Sequence, residues 1–184
     1  VIKQIPLLRH YNVFHISQVE GVEPKEQLKI SDLEPIEEAE NIKNEYMNRE
    51  HLKIFEKVTN RAFYTPTFDY IEVPCKEQYQ NIEEFYSTLF HEMIHSTGHK
   101  SRLNRSDMQG IVRHGSEKYS KEELTAELGS ATLVNMLGIE TEKSFRNSSA
   151  YIQNWLQALK NDNKFIVSAS SKAEKAVKYI LNEQ

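Results

Sequence analysis

The stretch His91-Glu92-Met93-Ile94-His95-Ser96-Thr97-Gly98-His99 constrains this chain more than any other. Residues four apart on an α-helix share a face, so His91 and His95 can point at one ion. Zinc accepts imidazole nitrogen readily, and a catalytic zinc site holds it with three protein ligands and one open position. Glu92, beside the first histidine, can reach a water on that ion, whose pKa falls from about 15.7 to about 7. This is the metalloprotease form of the motif. The alternative is a pair of core histidines that happen to flank an acid, and the context argues against it. Asn81-Ile82-Glu83-Glu84 offers an N-cap with an acid three positions later. Ile82, Phe85, Leu89 and Met93 recur at helical spacing as a core-facing stripe, with the histidines on a different face. Gly98 stands where a left-handed C-cap would end the helix.

Two histidines do not hold a catalytic zinc alone. The long zincin pattern asks for a histidine six residues after the second ligand, but that position is Ser101. His99 lies just past the helix stop. Glu123 follows Ser120 at capping-box spacing and so has a structural task. Glu127 falls inside the apolar stripe of the next helix, among Leu124, Leu128, Ala131 and Val134. A carboxylate there is costly unless it is paired or binds a metal. Glu127 is the expected third ligand, with Glu123 and His99 as its competitors.

The run from Asn60 to Arg105 contains Arg61-Ala62-Phe63-Tyr64, the histidine motif and Ser101-Arg102-Leu103-Asn104-Arg105. It resembles the C-terminal metallopeptidase domain of ArdC-type antirestriction proteins. Gly115-Ser116, Tyr119 and Glu122-Glu123-Leu124 through Ala126-Glu127-Leu128 resemble a second signature of that family. Asn147 to Ile152, Trp155-Leu156 and Leu159 to Asp162 resemble a third. The likeness runs over residues 8 to 182. It implies a zincin-like fold and a mobile-element or phage origin. It also implies that a single-stranded-DNA-binding domain precedes this part in full-length members. Residues 1–30 then read as the tail of that region, and 31–184 as the metallopeptidase domain.

The length of 184 residues suits one domain with a real core. The single cysteine, Cys75, excludes an internal disulfide and fits a reducing, cytoplasmic compartment. Cys75 follows Pro74 at a strand end with no histidine near it in sequence, which argues against a nucleophile. No apolar run approaches a membrane span. The net charge of −4 does not favour nucleic acid as a partner of this portion. Lys100, Arg102, Arg105, Arg113, Lys118 and Lys121 nevertheless cluster after the motif. They read as a solvated loop or as a basic rim that steers an acidic substrate or a DNA strand.

Pro35 opens a helix with Ile36, Ala39, Ile42 and Tyr46 inward. Leu52 to Val58 alternates as a strand, and Ala62-Phe63-Tyr64 with Tyr70 to Val73 reads as a hairpin. Helices follow around the metal ligands, around Tyr151 to Leu159 and from Ile166 to Ile180. The predicted class is α+β: a small, largely antiparallel sheet followed by a bundle of about four helices. By resemblance to zincins, Asp69 to Val73 forms the edge strand above the cleft, where an extended peptide can add. The predicted activity is zinc-dependent cleavage of a peptide or protein substrate, with Glu92 as base. Tyr119, His114 and His99, in that order, are candidates to stabilise the oxyanion. Tyr119 leads because it immediately precedes the expected cap at Ser120. The competing function is protection of nucleic acid by single-stranded-DNA binding, with the zinc domain not used for proteolysis.

Overall fold

The computed structural model describes residues 33–108, 117–139 and 163–183, together with Gly21. Helix α1 (Glu37–Glu50) leads into strands β1 (Lys53–Lys57), β2 (Phe63–Thr65) and β3 (Tyr70–Pro74). Helices α2 (Ile82–Thr97), α3 (Glu117–Met136) and α4 (Asn163–Ile180) follow. The class is α+β, as the periodicities predict. The arm expected over residues 1–30 and the helix expected at Tyr151 to Leu159 lie outside the described residues.

The sheet is mixed, in the order β1-β3-β2. β2 and β3 form the expected antiparallel hairpin, with Tyr64 opposite Ile71. β1 lies parallel to β3 on its other side, pairing Ile54 with Ile71. This arrangement overturns one expectation. Asp69 to Val73 does not form the cleft edge, because β3 is flanked on both sides; among the described residues the edge strands are β1 and β2. A hairpin reading cannot reveal it, since the partner of β1 is chosen by tertiary contact rather than by a short turn.

Alternation along β3 turns Ile71 and Val73 into the core, where both are fully buried. The stripe of α2 meets them: Phe85, Leu89 and Met93 are fully buried, as are Tyr86, Phe90 and Ile94. The expected N-cap is present, with Asn81 Oδ1 accepting from the backbone N–H of Glu84 at 2.9 Å. Gly98, by contrast, ends α2 with φ −75° rather than in the left-handed region. Its need is space: a Cβ there would stand 2.3 Å from Met108 Sδ and 2.9 Å from Arg105 Nη2.

Helix α3 has two faces. Leu124 packs with Phe165 and Ala169 of α4. The opposite side presents Ala126, Gly129 and Ser130 to α2, where Ser130 Oγ donates to the carbonyl of Ser87 at 2.8 Å. Gly129 sits so close that an added Cβ would lie 2.6 Å from Ile94 Cδ1. Replacing Gly129 with valine is expected to force the helices apart and cost about 1–3 kcal/mol. Urea unfolding measures this, and a midpoint equal to wild type would contradict the close approach.

Candidate metal centre

The α2–α3 contact brings two histidines of one helix against a row of glutamates on the other. His91 and His95 lie one turn apart, with their Nε2 atoms 3.1 Å from each other. Glu123 reaches both: one carboxylate oxygen is 3.6 Å from His91 Nε2, the other 3.4 Å from His95 Nε2. Donors bound at about 2.0–2.2 Å to one tetrahedral ion stand about 3.3–3.5 Å from one another. His91, His95 and Glu123 each offer a ligand atom within 4.8 Å of the other two. Among the described residues, they are the three side chains so arranged.

Glu127, the third ligand expected from sequence, occupies a different place. Its Oε1 lies 3.3 Å from Nδ1 of His91, the ring nitrogen that faces away from Nε2. Glu122 stands in the same relation to His95, with Oε1 3.1 Å from Nδ1. Each histidine thus has a carboxylate behind it, the arrangement that fixes an imidazole's tautomer and points its other nitrogen at an ion. Two features of α3 explain the difference from the sequence reading. The helix already runs from Glu117, so Ser120 lies inside it and Glu123 is not engaged in the expected capping box. The stripe read from Leu124 and Leu128 is the side turned to α4, whereas the side turned to α2 is built of small residues. Hydrophobicity does not mark such a face.

Glu92 is 8% exposed and opens with His91 and His95 onto a cavity of about 530 Å³. Tyr119, from the first turn of α3, lines the same cavity, as do Phe63 and Tyr64 of β2. His99 is not part of this group: its Nδ1 lies 2.7 Å from Ser101 Oγ on the surface. His114 lies outside the described residues. Cys75 does not line this cavity and is only half-buried, and burial raises its thiol pKa.

The basic cluster also resolves differently. The side chain of Arg102 is almost wholly buried, bonding both oxygens of Asp69 at 2.9 and 2.8 Å and the carbonyl of Ser96 at 2.8 Å. Arg105 is buried against Glu122. These two guanidiniums brace the chain leaving α2 and do not form a rim. Arg113 lies outside the described residues, and so does the side chain of Lys118.

The centre favours positive charge. Burial opposes protonation of the imidazoles, yet Glu123 and Glu127 draw His91 up to about 10, and Glu122 and Glu123 draw His95 up to about 9. Burial likewise opposes ionisation of Glu122, which His95 and Arg105 nonetheless hold down to about 2. Against the same opposition, the two histidines hold Glu123 well below the usual carboxylate range. A divalent cation supplies the charge that these carboxylates seek, and the donor set of two imidazoles and one carboxylate suits it.

Comparison with known proteins agrees with this geometry. A model of a zincin-like metallopeptidase family matches residues 41–172, and the chain belongs to that family. The Mn(II)-bound crystal structure of antirestriction protein ArdC from plasmid R388 superposes with a TM-score of 0.66 at 33% identity. That match covers 90% of this chain and 58% of the other. DNA primase TraC of Escherichia coli is 36% identical over 169 residues, which is 92% of this chain and 15% of TraC. An uncharacterized protein of Sinorhizobium fredii, y4eC, is 33% identical over 177 residues, 96% of this chain and 54% of its own length. The chain therefore spans only part of each relative. The expected ArdC-type resemblance and zincin-like fold are borne out.

A ligand that binds the folded protein alone stabilises it by RT ln(1 + [L]/Kd), about 2.7 kcal/mol at a hundredfold excess over Kd. Adding a divalent transition metal to chelator-treated protein is expected to raise its melting temperature accordingly. An unchanged melting curve would show that the two imidazoles and Glu123 do not act together on a cation.

Proposed function

We propose that this member of the zincin-like metallopeptidase family is a metal-dependent peptidase domain. In this reading His91, His95 and Glu123 hold a zinc ion and Glu92 moves the proton. The observation that carries it is the position of Glu92, on the same helix as the two histidines and facing the same cavity. A structural zinc site has no use for a base and fills its positions with protein ligands. When bound, the ion acts as a Lewis acid toward a carbonyl and acidifies a water. Glu92 accepts the proton released by that water and returns it to the leaving amine. Glu127 and Glu122 accept from the Nδ1–H groups of His91 and His95 and keep both Nε2 atoms turned to the ion. Tyr119, in the cavity wall, offers its hydroxyl to the developing oxyanion. The outer edge of β2, an edge strand among the described residues whose Phe63 and Tyr64 line the cavity, offers main-chain hydrogen bonds to an extended peptide.

Zinc is the proposed metal because two imidazoles and one glutamate form a known catalytic zinc set. Manganese, present in the ArdC crystal structure, is the alternative that metal analysis distinguishes.

A second reading rests on the relatives' names, a DNA primase and an antirestriction protein. In it the longer protein protects DNA, and this domain does not hydrolyse peptides. The net charge of −4 and the internal pairing of Arg102 and Arg105 weigh against DNA binding by this portion itself. Single-stranded DNA is expected to bind the chain weakly, with an affinity that falls steeply with salt. Tight binding that resists salt would favour this second reading.

Two substitutions test the first. Glu92→Gln is expected to retain zinc at wild-type occupancy and lose peptide hydrolysis; loss of zinc, or unchanged hydrolysis, would refute the role. Glu123→Ala is expected to lower zinc affinity far more than Glu127→Ala, whose loss costs about 10–100-fold as an orienting partner. The reverse order would return the third-ligand role to Glu127.

A further inference from the structure

Arg105 approaches the metal centre from behind His95. Its side chain is 5% exposed and grips Glu122 with two bonds, Nε to Oε2 at 2.9 Å and Nη2 to Oε1 at 2.5 Å. The same guanidinium holds the last turn of α2, donating Nη2 to the carbonyl of Ile94 at 2.7 Å and Nη1 to Thr97 Oγ1. One side chain therefore ties the turn that carries His95 to the carboxylate that meets His95 Nδ1. The room for it comes from Gly98, where a Cβ would lie 2.9 Å from Nη2 and 3.0 Å from Cζ.

The chemistry of the pair gives this contact a consequence beyond packing. Glu122 is 5% exposed, and a buried carboxylate deprived of its cation partner turns toward water. Turned away, Glu122 would no longer meet His95 Nδ1, and that contact would no longer hold the imidazole with Nε2 toward Glu123 and His91. A planar guanidinium bonded to both oxygens fixes the carboxylate in plane; an ammonium supplies the charge without the fork.

We propose that Arg105 is a positioning residue of the metal centre, acting through Glu122 to hold His95 with Nδ1–H toward Glu122 and Nε2 toward the ion. This rests on the metal-centre reading above. A purely structural Arg105 would brace the loop after α2 and leave the metal affinity of folded protein unchanged.

A double-mutant cycle separates the two. Arg105→Gln, Glu122→Gln and the double variant are compared with wild type for zinc affinity, by chelator competition, and for thermal unfolding without metal. Each single variant is expected to lower zinc affinity about 10–100-fold, the scale of losing an orienting partner. The double variant is expected to fall no further than the weaker-binding single one, because both act through one contact. Arg105→Lys is expected to recover part of the affinity. If folded Arg105→Gln binds zinc as wild type does, or the two losses multiply in the double variant, the proposal fails. Should Arg105→Gln not fold, Gly98→Ala, which displaces Arg105 from behind, provides the same readout. Wild-type affinity in that variant, with the guanidinium displaced, would equally overturn the proposal. Wild-type protein that binds no zinc at all would refute the metal centre itself, a result distinct from the failure of the cycle.

Discussion

The contact between α2 and α3 determines what this domain can do. It is made by small residues: Gly129 against Ile94, and Ser130 against the backbone of Ser87. Because no large side chain separates the helices at that level, Glu127, less than a turn earlier on α3, and Glu122 and Glu123, about two turns earlier, come within reach of His91 and His95. Donor distances in a ligand shell hold to about 0.2 Å, and an added Cβ at Gly129 would stand 2.6 Å from Ile94 Cδ1, so this close approach leaves little room to alter. The packing of α4 on the far side of α3, through Leu124 and Phe165, keeps that helix from rotating away. The lysine of α4 at position 172 pairs with Asp107, whose side chain lines the metal cavity.

Electrostatics complete what packing begins. Glu92, Glu122, Glu123 and Glu127 surround two imidazoles in a largely buried pocket, with Arg105 as the permanent cation bonded into it among the described residues. Such a concentration of like charge is unfavourable unless each carboxylate has a task. Geometry divides those tasks: Glu123 lies across the two Nε2 atoms, Glu122 and Glu127 lie behind the rings, and Glu92 faces the cavity. The alternation follows from helical spacing alone. Residues 123 and 127 lie one turn apart on α3, as 91 and 95 do on α2, so the helices meet as two matched pairs.

Much of this was legible in the sequence, and the reasons it was not complete are specific. The helix of the histidine motif, its Asn81 cap and its buried stripe follow from local rules, which tertiary packing then reinforced. The hairpin at residues 63–74 was likewise local. The parallel pairing of β1 was not, and it places β3 at the centre of the sheet, with β1 and β2 as the edge strands among the described residues. Gly98 was assigned to a left-handed cap because that is the commonest use of a terminal glycine. Its actual role, clearance for Arg105 and Met108, depends on residues that follow the helix and fold back on it. Glu123 and Glu127 share the face of α3 that meets α2, one turn apart, so their places differ by the position of α3 along its axis, which no local rule fixes. A face of alanine, glycine and serine carries little hydrophobic signal, but Ala126, Gly129, Ser130 and Leu133 do recur at helical spacing. That recurrence, small residues closed by one leucine, was the cue in the sequence. The pairing of Arg102 and Arg105 with distant acids had no such cue.

The most direct test is a crystal structure of zinc-loaded protein with data collected at the zinc absorption edge. The account predicts one strong anomalous peak between α2 and α3, about 2.0–2.2 Å from Nε2 of His91, Nε2 of His95 and a carboxylate oxygen of Glu123. It predicts that Glu127 remains on Nδ1 of His91 and that a non-protein ligand completes the coordination shell. A peak bound by Glu127 or His99 in place of Glu123, or one closed by a fourth protein ligand, would contradict it.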